Sequence, residues 1–168
     1  LLGVDQAAPL ISKLERDNNC LAIVESPIPQ DDVEGNKLLR RKIQSPIAMH
    51  MGHPPAMTAI REGVCDGFVI GGGVQQVLSD GNLAARAQMP FWLQMVGTGL
   101  TTTFAAHIGS VLKEARWPAI PCVNIYSHTL LREFEVKGGH LQVPQTPGLG
   151  VELDREAVER FRVEPDFA

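Results

Sequence analysis

The stretch PIAMHMGHPPAMTAIREGVCDGFVI, residues 46–70, contains two short apolar runs that are separated by a helical pattern. Residues 46–49 and 68–70 are continuously apolar, which is typical of strands that are buried on both faces of a parallel sheet. The segment 54–63 begins with two prolines, and their missing N–H groups matter least in the first turn of a helix. The stretch therefore predicts a strand, a helix and a second strand.

The same alternation extends over most of the chain. Apolar runs predict further strands at 21–24, 90–93 and 122–125, and helical patterns occupy 5–18, 32–42, 74–87 and 100–115. Strands that alternate with helices predict a parallel sheet with right-handed crossovers. Two architectures fit five such strands, an open doubly wound sheet and part of a (β/α) barrel. On pattern alone, the short chain favours the open sheet.

The end of the chain breaks this rhythm. Residues 136–168 are rich in proline and glycine and read as a hairpin followed by a short helix at 154–162, with Asp154 as the N-cap. We therefore divide the chain into residues 1–135, which carry the strands, and a C-terminal tail, residues 136–168.

Composition and charge exclude several classes of protein. The 168 residues are 44% hydrophobic and 20% charged, with a formal net charge of −4, which suits a packed domain. The sequence contains no basic stripe that would indicate a nucleic-acid partner, and no apolar run reaches the ~20 residues that span a membrane. Cys20, Cys65 and Cys122 are widely spaced, which indicates reduced thiols in the cytoplasm. Residues 1–5 have no initiating Met and no leader pattern, so we expect them to lie within a longer chain.

Five short motifs follow one another along the chain: IVESP at 23–27, SPIA at 45–48, GGV at 72–74, GHLQVP at 139–144 and PGLGV at 147–151. In order and spacing they resemble the mandelate racemase/muconate lactonizing branch of the enolase superfamily. The resemblance implies a TIM-type (β/α) barrel and overrides the preference for an open sheet.

The resemblance makes this chain the C-terminal part of the barrel, with about five βα units plus the C-terminal hairpin and short helix. The five strands would be the fourth to the eighth. The first three strands and a capping domain would lie upstream of Leu1, and the tail would pack back toward that capping domain. The partners to expect are therefore the upstream part of the same barrel and further copies in a homo-oligomer, without nucleic acid or membrane.

The resemblance also implies a chemistry. Proteins of this branch remove the proton α to the carboxylate of a small acid or sugar acid, in racemisation, cycloisomerisation or dehydration, and Mg²⁺ stabilises the enediolate. Acidic residues at the ends of the third, fourth and fifth strands hold the metal. Glu25 falls on the fourth-strand position and Met51 on the fifth. Because a thioether is a poor ligand for Mg²⁺, we expect the metal to bind weakly or not at all, and a Glu at position 51 to improve its affinity.

The acid/base positions of the family also carry replacements. Gln94 stands where racemases have a seventh-strand His, and an amide cannot shuttle a proton near neutral pH. The sixth-strand Asp corresponds to Asp66 or to Gly71. The strand pattern favours Gly71, because it places Asp66 at the opposite end of the strand. Asn124 is the polar residue nearest to the eighth-strand Glu of racemases.

Other residues allow alternative functions. His50 and His53 flank Met51, and together with Glu25 they could bind a softer metal than Mg²⁺. His107 is expected to be a structural residue of its helix. The glycines 71–73 could hold a phosphate at a helix N-terminus. Three hypotheses follow: an enzyme of this group with a diverged site, a non-catalytic barrel relative that binds a ligand or partner, and a phosphate-binding barrel.

Overall fold

Strands and helices alternate through the first part of the chain, as the apolar runs predict. The computed structural model describes residues 1–17 and 21–163. In chain order the elements are α1 Val4–Asp17, β1 Val24–Glu25, α2 Val33–Arg40, β2 Ile47–His50, α3 Ala56–Glu62, β3 Gly67–Ile70, α4 Val74–Arg86, β4 Phe91–Leu93, α5 Gly99–Gly109, the 3-10 helix Val123–Ile125, and α6 Arg155–Arg160. Cys20 and the predicted end of the first helix at residue 18 lie outside the described residues.

The strands form one sheet in the order β1-β2-β3-β4. β1 pairs with β2 in parallel, with Glu25 opposite Ala48, and β2 pairs with β3 in parallel, with Ala48 opposite Gly67. The Phe68 N–H donates to Pro90 O at 3.0 Å, next to the start of β4. The carboxyl ends of parallel strands lie at the same edge of a sheet. This edge, at the ends of β1, β2 and β3, is called the carboxyl edge below.

Local signals in the sequence explain where several helices begin and end. The Asp32 carboxylate accepts from the Gly35 N–H at 2.8 Å at the start of α2, and Asp154 accepts from the Ala157 N–H at 3.0 Å at the start of α6. The predicted N-cap at Asp154 is therefore confirmed. Helix α3 ends at Gly63, whose φ of 64° is a left-handed conformation that costs glycine little.

The described part of the chain forms two compact units. The first contains Leu1–Trp92 and Leu112–Pro118. The strands of this unit carry buried apolar side chains on both faces of the sheet. One face buries Ile47, Met49, Phe68 and Ile70, while Ala48, Val69 and Trp92 form a cluster with Ile23 and Trp117. Strands that are apolar on both faces need cover on both, which is the arrangement that continuous apolar runs predict.

The second unit contains Leu93–Val111 and Ala119–Ala168, described up to Val163. The start of α5 packs against the segment 129–134, which precedes the tail. The Gly99 N–H donates to Thr129 O at 3.0 Å, and a methyl group on Gly99 would lie 2.9 Å from Thr129 Cβ and 3.0 Å from Leu131 Cδ1. Leu131 also forms an antiparallel bridge with Leu153. Glycine at position 99 therefore allows the close approach of the helix to this segment.

One predicted strand is wrong. Residues 122–125 do not extend the sheet, because Val123–Ile125 forms a 3-10 helix. The preceding Cys122 has a φ of 55°, which interrupts an extended backbone. The fold is nevertheless the expected α/β arrangement of the C-terminal part of a TIM-type barrel, with a parallel sheet of four strands rather than five.

The predicted turn in the tail is present. Lys137 and His140 exchange backbone hydrogen bonds of 2.9 Å in both directions. Gly138 and Gly139 lie between them, with φ values of 55° and 79° that favour glycine. Among the described residues, no helix has both the length and the apolar character required to cross a membrane.

Candidate functional site

A carboxylate and an imidazole meet at the carboxyl edge of the sheet. Glu25 is the last residue of β1 and His50 is the last residue of β2. His50 Nε2 lies 2.9 Å from Glu25 Oε1, and the two side chains are 51% and 32% exposed. The pair is therefore accessible from solvent at the position where barrel proteins place their active sites.

The pairing of β1 with β2 explains why these two side chains meet. Glu25 lies opposite Ala48, and His50 is two residues further along the same strand. Side chains alternate between faces along a strand, so His50 lies on the face of Ala48, and Met49 lies on the other face. Met51 follows the strand, and its N–H continues the backbone pairing by donating to Val69 O at 3.0 Å. The structure thus brings His50 to Glu25.

A glutamine connects the two loops that follow β1 and β2. Gln30 Oε1 accepts from the His50 N–H at 2.8 Å and from Ser26 Oγ at 2.6 Å. Gln30 Nε2 donates to His53 O at 2.6 Å. The sequence carries no pattern that singles out Gln30, since its role depends on two loops that are distant in the chain.

The two candidates for the sixth-strand position lie at opposite ends of β3. The Asp66 carboxylate precedes the strand, pairs with Arg40 and accepts from the N–H of Ile47 at 2.8 Å, where β2 begins. Gly71 directly follows β3, at the carboxyl edge. Asp66 therefore lies at the end of the sheet opposite Glu25, and its contacts tie together α2, β2 and the start of β3.

The glycines 71–73 form the link from β3 to α4. Gly72 has a φ of 114°, and Gly73 is the N-cap of α4 without a side-chain hydrogen bond. A methyl group on Gly73 would meet nothing within 4 Å. Packing therefore does not explain the glycine at position 73, and the phosphate hypothesis stays a prediction.

The remaining predicted site residues belong to the second unit. Gln94 directly follows β4 and is half-buried. Asn124 is exposed within the 3-10 helix, so it does not end a strand as the sequence predicted.

The side chains at the carboxyl edge fit Mg²⁺ poorly. This cation prefers an octahedral set of oxygen ligands and gives up its waters reluctantly. Glu25 supplies oxygen, but its neighbour His50 supplies nitrogen and Met51 a thioether. Within residues 1–17 and 21–163, no three His, Cys, Asp or Glu side chains are grouped as metal ligands.

Two further residues of reactive types, a cysteine and a histidine, have structural explanations. Burial raises the pKa of the Cys65 thiol to about 12, and the nearby Asp66 carboxylate adds to the shift. The thiol therefore stays protonated and is a poor nucleophile. His107 Nε2 lies 3.0 Å from Leu149 O and holds the Pro-Gly-Leu-Gly turn of the tail against α5, which is the structural role that its helix position predicted.

Known proteins of one family resemble the chain in sequence and in structure. The family model described as "Enolase C-terminal domain-like" matches residues 2–157. An N-succinylamino acid racemase of Amycolatopsis sp is 30% identical over 154 residues, which cover 86% of this chain and 41% of the relative. An o-succinylbenzoate synthase of Geobacillus stearothermophilus is 27% identical, over 84% of this chain and 40% of the relative.

A solved structure extends this similarity to the fold. A mandelate racemase/muconate lactonizing family protein from Azoarcus sp. EbN1 has a TM-score of 0.79 and 28% identity, over 99% of this chain and 49% of that protein. The chain thus spans less than half the length of each of these relatives. The match over residues 2–157, together with the four parallel strands, shows that this chain belongs to the enolase C-terminal domain-like family, in the mandelate racemase/muconate lactonizing branch of the enolase superfamily.

Proposed function

We propose that this chain supplies part of a barrel site that binds a small carboxylate or sugar acid, and that the ancestral proton abstraction has diverged here. In the relatives, this chemistry would consist of racemisation, cycloisomerisation or dehydration through a Mg²⁺-stabilised enediolate. The observation that carries the proposal is the Glu25–His50 pair, a polar and accessible group at the carboxyl edge.

The class of ligand is supported by the relatives. The names N-succinylamino acid racemase and o-succinylbenzoate synthase both refer to small carboxylates. In this chain, Glu25 would hold His50 through Nε2, which leaves Nδ1 as the ring nitrogen for a ligand. The hydrogen bond to Glu25 fixes the orientation of the imidazole, as a carboxylate partner does for histidines in many active sites.

The residues at the family's acid/base positions favour a second candidate function, a barrel that binds its ligand without turning it over. Neither Gln94 nor Gly71 can exchange a proton with a substrate near neutral pH. The two candidates differ in one observable, the exchange of the α-proton of a bound acid with solvent.

The experiment measures ligand binding and proton exchange on the same samples. The whole protein is titrated with N-succinylamino acids and sugar acids, and binding is followed by calorimetry. Exchange of the α-proton for deuterium is followed by NMR in heavy water. We expect binding that Glu25→Gln weakens, with little exchange. The matched control is Glu34→Gln, which makes the same change at an exposed residue of α2.

Two results would contradict the proposal. One is equal ligand affinity in Glu25→Gln and Glu34→Gln, which would place the ligand elsewhere. The other is rapid, Mg²⁺-dependent exchange in the unmodified protein, which would show that the ancestral chemistry is intact. Slow exchange that is independent of Mg²⁺ supports a diverged enzyme, and binding without any exchange supports the non-catalytic candidate.

A further inference from the structure

We infer that His50 is the residue that prevents Mg²⁺ from binding at Glu25, because its imidazole occupies the place beside this carboxylate where a second acidic ligand would have to stand. The inference rests on the proposed site at the carboxyl edge. It concerns a specificity-determining residue of that site.

The contact itself is the first argument. Glu25 Oε1 and His50 Nε2 are 2.9 Å apart, which is a hydrogen-bond distance, so the ring N–H donates to the carboxylate. A cation at the same oxygen would have to displace this donor. It would then gain an imidazole as its neighbour, which Mg²⁺ accepts less readily than a carboxylate.

The geometry of the strands is the second argument. Because Glu25 is paired with Ala48, the side chain on the same face of β2 and nearest to the carboxyl edge belongs to His50. An acidic residue at position 50 would therefore place two carboxylates next to each other at neighbouring strand ends. An acidic residue at position 51 would instead belong to the other face of the sheet, because side chains alternate along a strand.

The backbone around His50 is the third argument. Gln30 accepts from the His50 N–H at 2.8 Å and donates to His53 O at 2.6 Å. These hydrogen bonds involve main-chain atoms, so they can persist when the side chain at position 50 is changed. A substitution at position 50 should therefore change the donor atoms of the site and leave its backbone in place.

The test compares three substitutions in the whole protein: His50→Asp, Met51→Glu and the control His53→Asp. Mg²⁺ alone is the probe, without any organic ligand, and its binding is measured by calorimetry. We expect the unmodified protein to bind with a Kd weaker than about 1 mM. We expect His50→Asp to bind at least about tenfold more tightly, because a second carboxylate adds charge and oxygen. The resemblance puts the missing acid at position 51, but the register of the strands favours position 50, so the Mg²⁺ affinities of Met51→Glu and His53→Asp should stay close to that of the unmodified protein.

Thermal unfolding gives a second measurement that does not depend on heats of binding. In His50→Asp, two adjacent carboxylates repel each other, so the melting temperature should fall without Mg²⁺ and recover when it is added. The control His53→Asp should show no such recovery. If His50→Asp does not fold, His50→Asn replaces it, because an amide oxygen is also a ligand for a hard cation, and a smaller gain in affinity is expected.

The inference is overturned if Met51→Glu gains Mg²⁺ affinity and the substitutions at position 50 do not. It is also overturned if the unmodified protein already binds Mg²⁺ at micromolar concentration. Since no organic ligand is present in this test, its failure leaves the proposed binding of a small carboxylate to be decided by its own experiment.

Discussion

At the scale of single residues, side chains tie together segments that are distant in the chain. His50 reaches Glu25 across β1 and β2, and Asp66 reaches the backbone of Ile47. Glu15, near the end of α1, accepts from the N–H groups of Gln44 and Ser45 at 2.9 and 2.8 Å, and from Ser45 Oγ at 2.7 Å. These contacts satisfy backbone donors just before β2 and fix where that strand begins.

Glu15 yields a prediction about pH. Burial by itself would raise the pKa of this carboxyl, but the hydrogen bonds from Ser45 and Gln44 outweigh it, and the pKa lies below its ordinary value of 4.5. The stabilisation is therefore fully present above about pH 4.5 and is lost as the pH falls through the lower folded-state pKa. Glu15→Gln should show a smaller loss of stability on acidification than the unmodified protein.

The measurement is urea unfolding at several pH values between neutral and acidic. The control is Glu34→Gln, an exposed residue that does not bond to a strand backbone. A loss of stability on acidification that is the same in Glu15→Gln as in the unmodified protein would show that these hydrogen bonds do not contribute as described.

At the scale of elements, the approach of α5 to the segment 129–134 depends on one small residue. Gly99 begins the helix and lies against Thr129, Leu131 and Phe134. His107, two turns later, holds the tail through Leu149 O. The helix therefore contacts residues 129–134 at its start and the tail near its end.

This contact predicts the effect of a methyl group at position 99. Gly99→Ala would place Cβ 2.9 to 3.1 Å from three side chains, so it should destabilise the protein by about 1–3 kcal/mol through overpacking. Gly109→Ala is the matched control in the same helix, because its Cβ would lie at an ordinary 3.4 Å from Leu93 Cδ1. It should be neutral or slightly stabilising, since alanine favours helix. Thermal and urea unfolding measure the stability of both variants, and an equal loss of stability in the two would contradict the packing argument.

At the scale of the whole molecule, burial is distributed unevenly. The strands β2 and β3 are almost entirely buried and hydrogen-bonded to neighbours, whereas most residues between 132 and 148 are partly or fully exposed. Local opening is cheapest where few apolar groups are buried and backbone hydrogen bonds face solvent.

Native-state hydrogen exchange should reproduce this distribution. We expect the amides of Ile47–His50 and Gly67–Ile70 to exchange most slowly, and those of the turn at 137–140 to exchange early. Mass spectrometry of peptides from both regions gives the order. If the amides of the turn at 137–140 were as well protected as those of β2, burial in the structure would not be what sets local stability.

The local patterns of the sequence determined most elements of the first unit and little of the site. The apolar runs at 46–49 and 68–70 predicted buried strands, and Asp154 predicted a helix start, because these signals depend on neighbours in the chain. The run at 122–125 failed, since an apolar composition does not exclude the left-handed φ of Cys122 that ends extended structure.

The tertiary structure alone decided which residues stand together at the carboxyl edge. The sequence indicated Glu25 and drew attention to Met51 with His50 beside it, but a position counted along the chain does not fix the face of the strand on which a side chain lies. The register of β1 with β2 puts His50 beside Glu25, and Gln30 is involved only because two loops meet. Register depends on how neighbouring strands pair, and a shift of one residue moves every side chain to the other face of the sheet. Motifs along the chain therefore identified the family, whereas contacts between strands decided which side chains meet at the carboxyl edge.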